Sequence, residues 1–235
     1  MPLTDAAARE LLHSRDIRIR GYRREDGLYD IEAQLADAKS YGFVNQDRGY
    51  VDAGEKLHGM WLRLTLDETM TIVASEAATD YAPYAVCPSA APAFAGLAGL
   101  RIKPGFLREA TQRVGGPAGC THLRELLQQM ATTAFQTISP YRAWREAHER
   151  GEAEEPGSDR LDARIAQKLL RGGATIVDSC RAYASDGPIV RRRWPDLYTG
   201  NLGREAGEAG AQSAEGEGEG EQVAPPHPCP RGFAP

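Results

Sequence analysis

The feature that most constrains this chain is the stretch 20–32, RGYRREDGLYDIE, in which alternating residues flank Glu25-Asp26-Gly27. An Asp-Gly pair between two alternating runs is a strong short-range hairpin signal, because glycine accepts the positive φ that tight turns need. Two antiparallel strands are therefore expected, over 16–23 and 28–39. In the first, Ile17, Ile19 and Gly21 alternate with Arg18, Arg20 and Tyr22. In the second, Tyr29, Ile31, Ala33 and Leu35 take one face, and Asp30, Glu32 and Gln34 the other. Arginines crowd the turn and carboxylates follow it, so the hairpin is expected to form the charged wall of any site.

The alternation continues beyond a turn-rich stretch, 40–54, read as a long loop. Over 56–67, His58, Met60, Leu62, Leu64 and Leu66 share one face, with Leu57, Trp61, Arg63 and Thr65 on the other. Over 70–80, Met70, Ile72, Ala74 and Glu76 share a face. Period-two patterning of this kind predicts strands. The first third therefore reads as an antiparallel meander of about four strands.

Helical signals frame and follow this sheet. Residues 5–13 suggest a short helix, as does the Ala-rich 89–98. Pro104 suits the first turn of another, stopped by Gly115-Gly116-Pro117. The strongest is 122–137, with Thr121 as its N-cap and Leu123, Leu126, Leu127, Met130 and Ala134 as a buried stripe. Residues 141–155 read as a solvated charged helix leading into a linker, 159–170 as an amphipathic helix and 174–182 as a last strand. The fold class is α+β: one domain over 1–200, then a Gly/Glu/Pro-rich tail over 201–235 that lacks the apolar residues to order itself.

Charge narrows the partners. The net charge of -5 is mostly the tail, where 203–235 holds six Glu against two Arg. The near-neutral remainder argues against nucleic acid. No apolar run suits a membrane span, and the start has no secretory pattern, so a cytoplasmic protein with reduced thiols is expected. A small-molecule substrate is the expected partner, and the sequence leaves a homodimer open.

Absent motifs narrow the chemistry. No Gly-rich phosphate cradle, HExxH, CxxC or GxSxG is present, so no organic cofactor, metal or serine nucleophile is announced. The stretch 118–127, AGCTHLRELL, places Cys120 and His122 at a helix mouth, where unpaired N–H groups favour an anion or a thiolate. A structural role is the competing reading for both residues. His58 and Glu76 sit in apolar rows; a buried carboxylate must be paired or have a raised pKa, which suits an acid or base, and a satisfied structural polar group is the competing reading for each. The expected catalytic set is His122, His58, Glu76 and Asp80. Arg20, Arg24, Glu32 and Arg63 are expected to bind substrate, although a cross-strand ion-pair ladder would need the same residues. His13, just before the first strand, is placed to join them.

Taken together, RGYRREDGL, DIEAQLADAK, MWLRLTLD, EAATDYAPY, GLRIKPGF, AGCTHLRELL and TAFQT resemble a bacterial family, domain of unknown function 2889, over about residues 8–197. That resemblance implies no established activity. The residues themselves favour an enzyme without an organic cofactor, a lyase or hydrolase working by acid–base chemistry on a small anionic or aromatic metabolite. A ligand-binding or accessory protein is the alternative, and a mononuclear metal protein using His13, Cys120, His122 or a carboxylate is a third. The first reading requires at least two of the acid–base residues to converge, and Arg20, Arg24 or Glu32 to face the same cavity as His122.

Overall fold

The computed structural model describes residues 3–151 and 176–200. The chain divides into two compact units, Met1–Ser179 and Cys180–Pro235. The first is built on a four-stranded antiparallel sheet in the order β1 (His13–Arg23), β2 (Tyr29–Lys39), β5 (Lys56–Leu66), β6 (Ile72–Tyr81). The Asp-Gly turn closes as expected. Gly27 adopts φ 87°, the Arg24 N–H donates to the Leu28 carbonyl at 2.8 Å, and Asp26 accepts the Leu28 N–H at 3.2 Å. The presumed long loop holds a second hairpin, β3 (Phe43–Asn45) with β4 (Gly49–Val51). The Asn45 side chain accepts the N–H groups of Asp47 and Arg48, each at 3.0 Å, which tightens a turn that lacks a long apolar pattern.

Alternation sorts the sheet into two faces. The core face carries Tyr29, Ile31, Ala33 and Leu35 from β2 and Met60, Leu62, Leu64 and Leu66 from β5, all buried. Helix α1 (Phe106–Val114), the 3-10 helix Cys87–Leu97 and helix α2 (Thr121–Glu149) pack against it through Phe94, Leu97, Phe106, Leu123, Leu126, Leu127 and Met130. Burying each large apolar side chain contributes about 1.5–3 kcal/mol, so this row dominates the stability of the unit. The other face meets solvent.

One strand departs from its expected facing. The β5–β6 register shifts between Thr65 and Leu66, so that Leu66 pairs with Ile72 but Thr65 pairs with Ala74. The extra residue at Val73 is a β-bulge, and a one-residue slip exchanges the faces of everything beyond it. Ser75, Ala77 and Thr79 therefore oppose Leu64, Leu62 and Met60, whereas Glu76 opposes Arg63 on the solvent face. Glu76 does not lie in the apolar row that uninterrupted alternation predicts.

The helices differ from expectation at their ends. Residues 5–12 are not helical: Leu11 and Leu12 are exposed, and a short segment with no surface to bury its apolar residues lacks the support a single turn needs. Cys120, not Thr121, occupies the N-cap of α2, with no side-chain cap bond, and Thr121 is the first helical residue. The helix also runs through Pro140 to Glu149. Its last turns are anchored rather than merely solvated: Arg142 donates to the Glu68 carbonyl at 2.7 Å, Arg145 pairs with Glu68 at 2.6 Å, and Tyr141 meets Tyr29 edge-on. Tertiary contacts thus outweigh the hydrogen bond that proline removes.

Residues 176–183 form a turn and a 3-10 helix, not a strand. Asp178 adopts φ 63°, which extended pairing does not allow. In the second unit, α3 (Pro188–Arg193) follows the Ser185–Gly187 turn, and Trp194 lies near Tyr183 at 5.8 Å. The helix expected over 159–170 and the tail from 203 lie outside the described residues. No helix among the described residues is long and apolar enough to cross a membrane.

Candidate active site

The apolar rows of three strands become polar at the same end of the core face. On β2, Asp37 follows Leu35 in the buried row. On β1, Ile17 and Ile19 give way to Arg15 and His13, with Arg15 directly opposite Asp37. On β5, Met60 gives way to His58, also opposite Asp37. Helix α2 begins over this end and adds His122 from its first turn. A register shift between Asp37 and Ala38 interrupts the β2–β5 ladder beside the cluster, a common place for bulges that re-aim a side chain.

Asp37 is the hub and is 1% exposed. Arg15 donates through Nε to Oδ1 and through Nη2 to Oδ2, both at 2.8 Å. This bidentate pairing is the strong form of the arginine–carboxylate contact. His58 Nδ1 lies 3.0 Å from Oδ2, and an ionised carboxylate only accepts, so Nδ1 carries the proton and Nε2 the lone pair. His122 Nε2 is 4.0 Å from the same oxygen, and His13 Nε2 is 3.5 Å from Oδ1. The His58 and His122 rings lie against each other, tilted by 35°, with centroids 3.9 Å apart. Arg15 also donates through Nη1 to Glu125 of α2 at 2.9 Å. Their side-chain exposures of 12% for His58 and 26% for His122 leave both rings reachable by a small molecule.

Electrostatics poise these groups. Burial alone raises the Asp37 carboxyl, but Arg15, with His58 and His13 beyond it, outweighs burial and holds it below the ordinary carboxylate range. Burial first, then the facing His122 ring, lowers His58 below the ordinary imidazole range against the pull of Asp37. The pair therefore stands as carboxylate and neutral imidazole at neutral pH. Asp37, His58 and His122 also each present one donor atom, all within 4.8 Å of one another, and these three could hold a metal ion.

Cys120 adjoins the cluster without joining it. Its Sγ lies 3.8 Å from Met60 Sδ and 4.0 Å from His122 Nδ1, contacts too long for an activating hydrogen bond.

Of the residues expected from sequence, His58 and His122 meet here, with His13 at 3.5 Å from Asp37; the other expected catalytic and substrate-binding residues do not. Glu76 is 76% exposed on the solvent face, where Arg63 bridges it at 3.3 Å and Glu32 at 2.8 Å. Asp80 accepts the indole N–H of Trp61 at 2.8 Å on that same face. Arg20 is exposed there too, and Arg24 pairs with Asp26 in the hairpin turn at 2.7 Å. The shared cavity expected for Arg20, Arg24 or Glu32 with His122 is not formed, because strand parity points them to opposite sides of the sheet. Glu32, Trp61, Arg63 and Glu76 instead line a shallow depression of about 260 Å³. Sequence reasoning missed Asp37 and Arg15. The signal that reveals both is parity, since each continues an apolar row with a charged residue.

Residues 13–136 match the family model described as "Protein of unknown function (DUF2889)". The match begins at His13 and ends within α2, so it contains the sheet and the whole Asp37 cluster; it is narrower than the resemblance expected over 8–197. No curated protein and no solved structure matches the chain. The matched stretch covers more than half of the 235 residues, and the chain belongs to the DUF2889 family.

Proposed function

We propose that the chain is an enzyme that needs no organic cofactor and moves protons on a small molecule at His58 and His122. The single observation carrying this reading is the 3.0 Å hydrogen bond between His58 Nδ1 and Asp37 Oδ2, with Arg15 holding the carboxylate from its far side. A carboxylate so placed fixes the imidazole tautomer and stabilises the imidazolium that forms when Nε2 takes a proton. His122, whose ring lies against that of His58, is the second group for proton delivery. Two rings at 3.9 Å resist carrying charge together, so uptake at one favours release from the other. That division suits elimination, retro-aldol cleavage or hydrolysis. A lyase is favoured, because the contact of Cys120 Sγ with His122 Nδ1 is long, at 4.0 Å, and among the described residues no serine or other cysteine hydrogen-bonds to the pair. The described cysteines Cys87, Cys120 and Cys180 are free, which supports a reducing, cytoplasmic setting.

The test is a metabolite-library thermal-shift screen, followed by turnover assays on the compounds that stabilise the protein. His58→Gln is expected to keep the fold and to lose turnover by about 10²–10⁴-fold, the usual contribution of a positioned acid or base. Unchanged turnover in that variant would sink the reading.

The convergence of three donor atoms favours a second reading, a mononuclear metal centre at Asp37, His58 and His122. Against it, Arg15 already neutralises Asp37 through both oxygens, which weakens the carboxylate as a ligand. Elemental analysis of protein purified without chelators separates the two: stoichiometric metal would make His58 a ligand rather than a base.

A further inference from the structure

A second feature lies beside the cluster. Between the edge strand β1 and helix α2 there is an open groove of about 410 Å³, lined by Ile17, Ile19, Gln128, Gln129, Thr132 and Thr133. None of these residues belongs to the Asp37 centre, yet the groove continues it. Along β1, Arg15, Ile17 and Ile19 succeed one another on one face at about 6.6 Å per pair of residues. Along α2, Gln128 and Gln129 stand one turn beyond Glu125. The Arg15–Glu125 ion pair crosses from strand to helix at the boundary. At the far end the space closes. A Cβ built on Gly21 would lie 2.0 Å from Thr137 Oγ1, so strand and helix touch there. The two elements run in step between these limits: from His13 to Gly21 is about 26 Å of strand, and from His122 to Thr137 about 22 Å of helix. The groove thus has the Asp37 centre at one end and a stop at the other.

Its lining is selective. The floor is two isoleucines. The helix wall is two amides and two hydroxyls, and no ionisable side chain is among the six. Thr132 and Thr133 donate to the carbonyls of Gln128 and Gln129 at 3.3 and 3.0 Å, which leaves their hydroxyl oxygens to act as acceptors. Arg15 brings no unmatched charge to a ligand carboxylate, because Nε and Nη2 serve Asp37 and Nη1 serves Glu125. An ionic group would find no counter-charge among the six residues, and a purely aliphatic group would cover the amides without replacing their hydrogen bonds to water. A volume of this size falls within the range of small-molecule sites.

We infer that this groove is the substrate subsite of the Asp37–His58–His122 centre, and that it takes an uncharged group with an apolar face and hydroxyl or carbonyl oxygens at its edge. An aromatic ring bearing such groups is the simplest example. The inference rests on the reading of the centre as catalytic and chooses between the two metabolite classes the sequence suggests, favouring the aromatic over the anionic.

Backbone-amide NMR titration of the full chain tests it, with 4-hydroxybenzyl alcohol and 4-hydroxybenzamide as neutral probes and 4-hydroxybenzoate and 4-hydroxybenzylamine as charged ones. The neutral probes are expected to shift the Ile17, Ile19, Gln128, Gln129 and Thr132 signals and to bind at least tenfold more tightly than the charged ones. Gln129→Lys is expected to reverse the preference toward the benzoate. Equal binding of charged and neutral probes overturns the inference, as do shifts confined to Trp61 and its neighbours on the solvent face, or no shift at millimolar probe. His58→Gln separates the two proposals. If it abolishes turnover while the probes ignore the groove, only the subsite falls. If the probes bind the groove and His58→Gln turns over normally, the proton-transfer reading falls and the groove is a binding site but not the subsite of that centre.

Discussion

The two faces of the sheet carry similar residues in different settings. On the solvent face, Arg63 bridges Glu32 and Glu76, all of them in contact with water. On the core face, Arg15 grips Asp37, and two imidazoles close over the same carboxylate. Water screens the first set, so its pairs contribute about 0–1 kcal/mol each. Burial removes that screening from the second, where an unmatched charge is costly and pKa values move. Arginines and carboxylates become chemically consequential where the sheet excludes water, not where they are most numerous.

Substitution of the hub should show the contrast most strongly. Asp37→Leu leaves Arg15 with Glu125 alone and the His58 N–H without its acceptor, and is expected to destabilise the unit by about 2–4 kcal/mol, read as a lowered urea midpoint. A loss below 1 kcal/mol would place Asp37 in the same energetic class as the solvent-face carboxylates.

Acid should act on the core face through the same groups. The folded pKa of His58 lies below its ordinary 6.5, so the unfolded chain binds more protons in that window, and stability falls as pH drops from about 6.5 through the folded value. Asp37 is held below its ordinary 3.8, so its contribution is present above that pH and is lost as pH falls through its folded value. Urea titrations across pH should show both losses, and His58→Gln should remove the first alone.

Packing beside the groove gives a smaller effect. Gly21→Ala drives a methyl into Thr137 and is expected to cost about 1–3 kcal/mol, as overpacking does. Thr137→Ala in the same chain should recover part of that loss. The smallest effect belongs to the solvent face, where Arg63→Ala should change stability by less than about 1 kcal/mol, measured by thermal unfolding. A larger cost would show that the ladder does more than decorate the sheet.

The scaffold was legible in the sequence because its signals are local. The Asp26-Gly27 turn, the alternation of Leu62, Leu64 and Leu66, and the stripe of Leu123, Leu126 and Leu127 each declare an element within about ten residues. The centre was half legible. His58 and His122 stand out as histidines in an apolar row and at a helix mouth. Asp37 and Arg15 look like ordinary strand-end charges until their parity is followed past Leu35 and Ile17. The convergence of His122 with Asp37 is a tertiary event across a gap of more than eighty positions, which no local pattern encodes. Glu76 misleads for the opposite reason, since its pattern is clear and the bulge before it reverses the meaning.

That bulge also sets a rule for changes in chain length. Val73 is a surplus residue: between Ile72 and Ala74, β6 holds one residue that β5 does not match, and bulging it out of the ladder leaves Glu76 opposite Arg63 in water. Removing Val73 would restore regular pairing from Leu66 to Met60 and leave the later side chains on their present faces. Inserting one residue just after Ala74 would turn Glu76 inward against the leucines of β5. The strand can thus lose a residue at this point but cannot gain one, an asymmetry that no substitution would reveal.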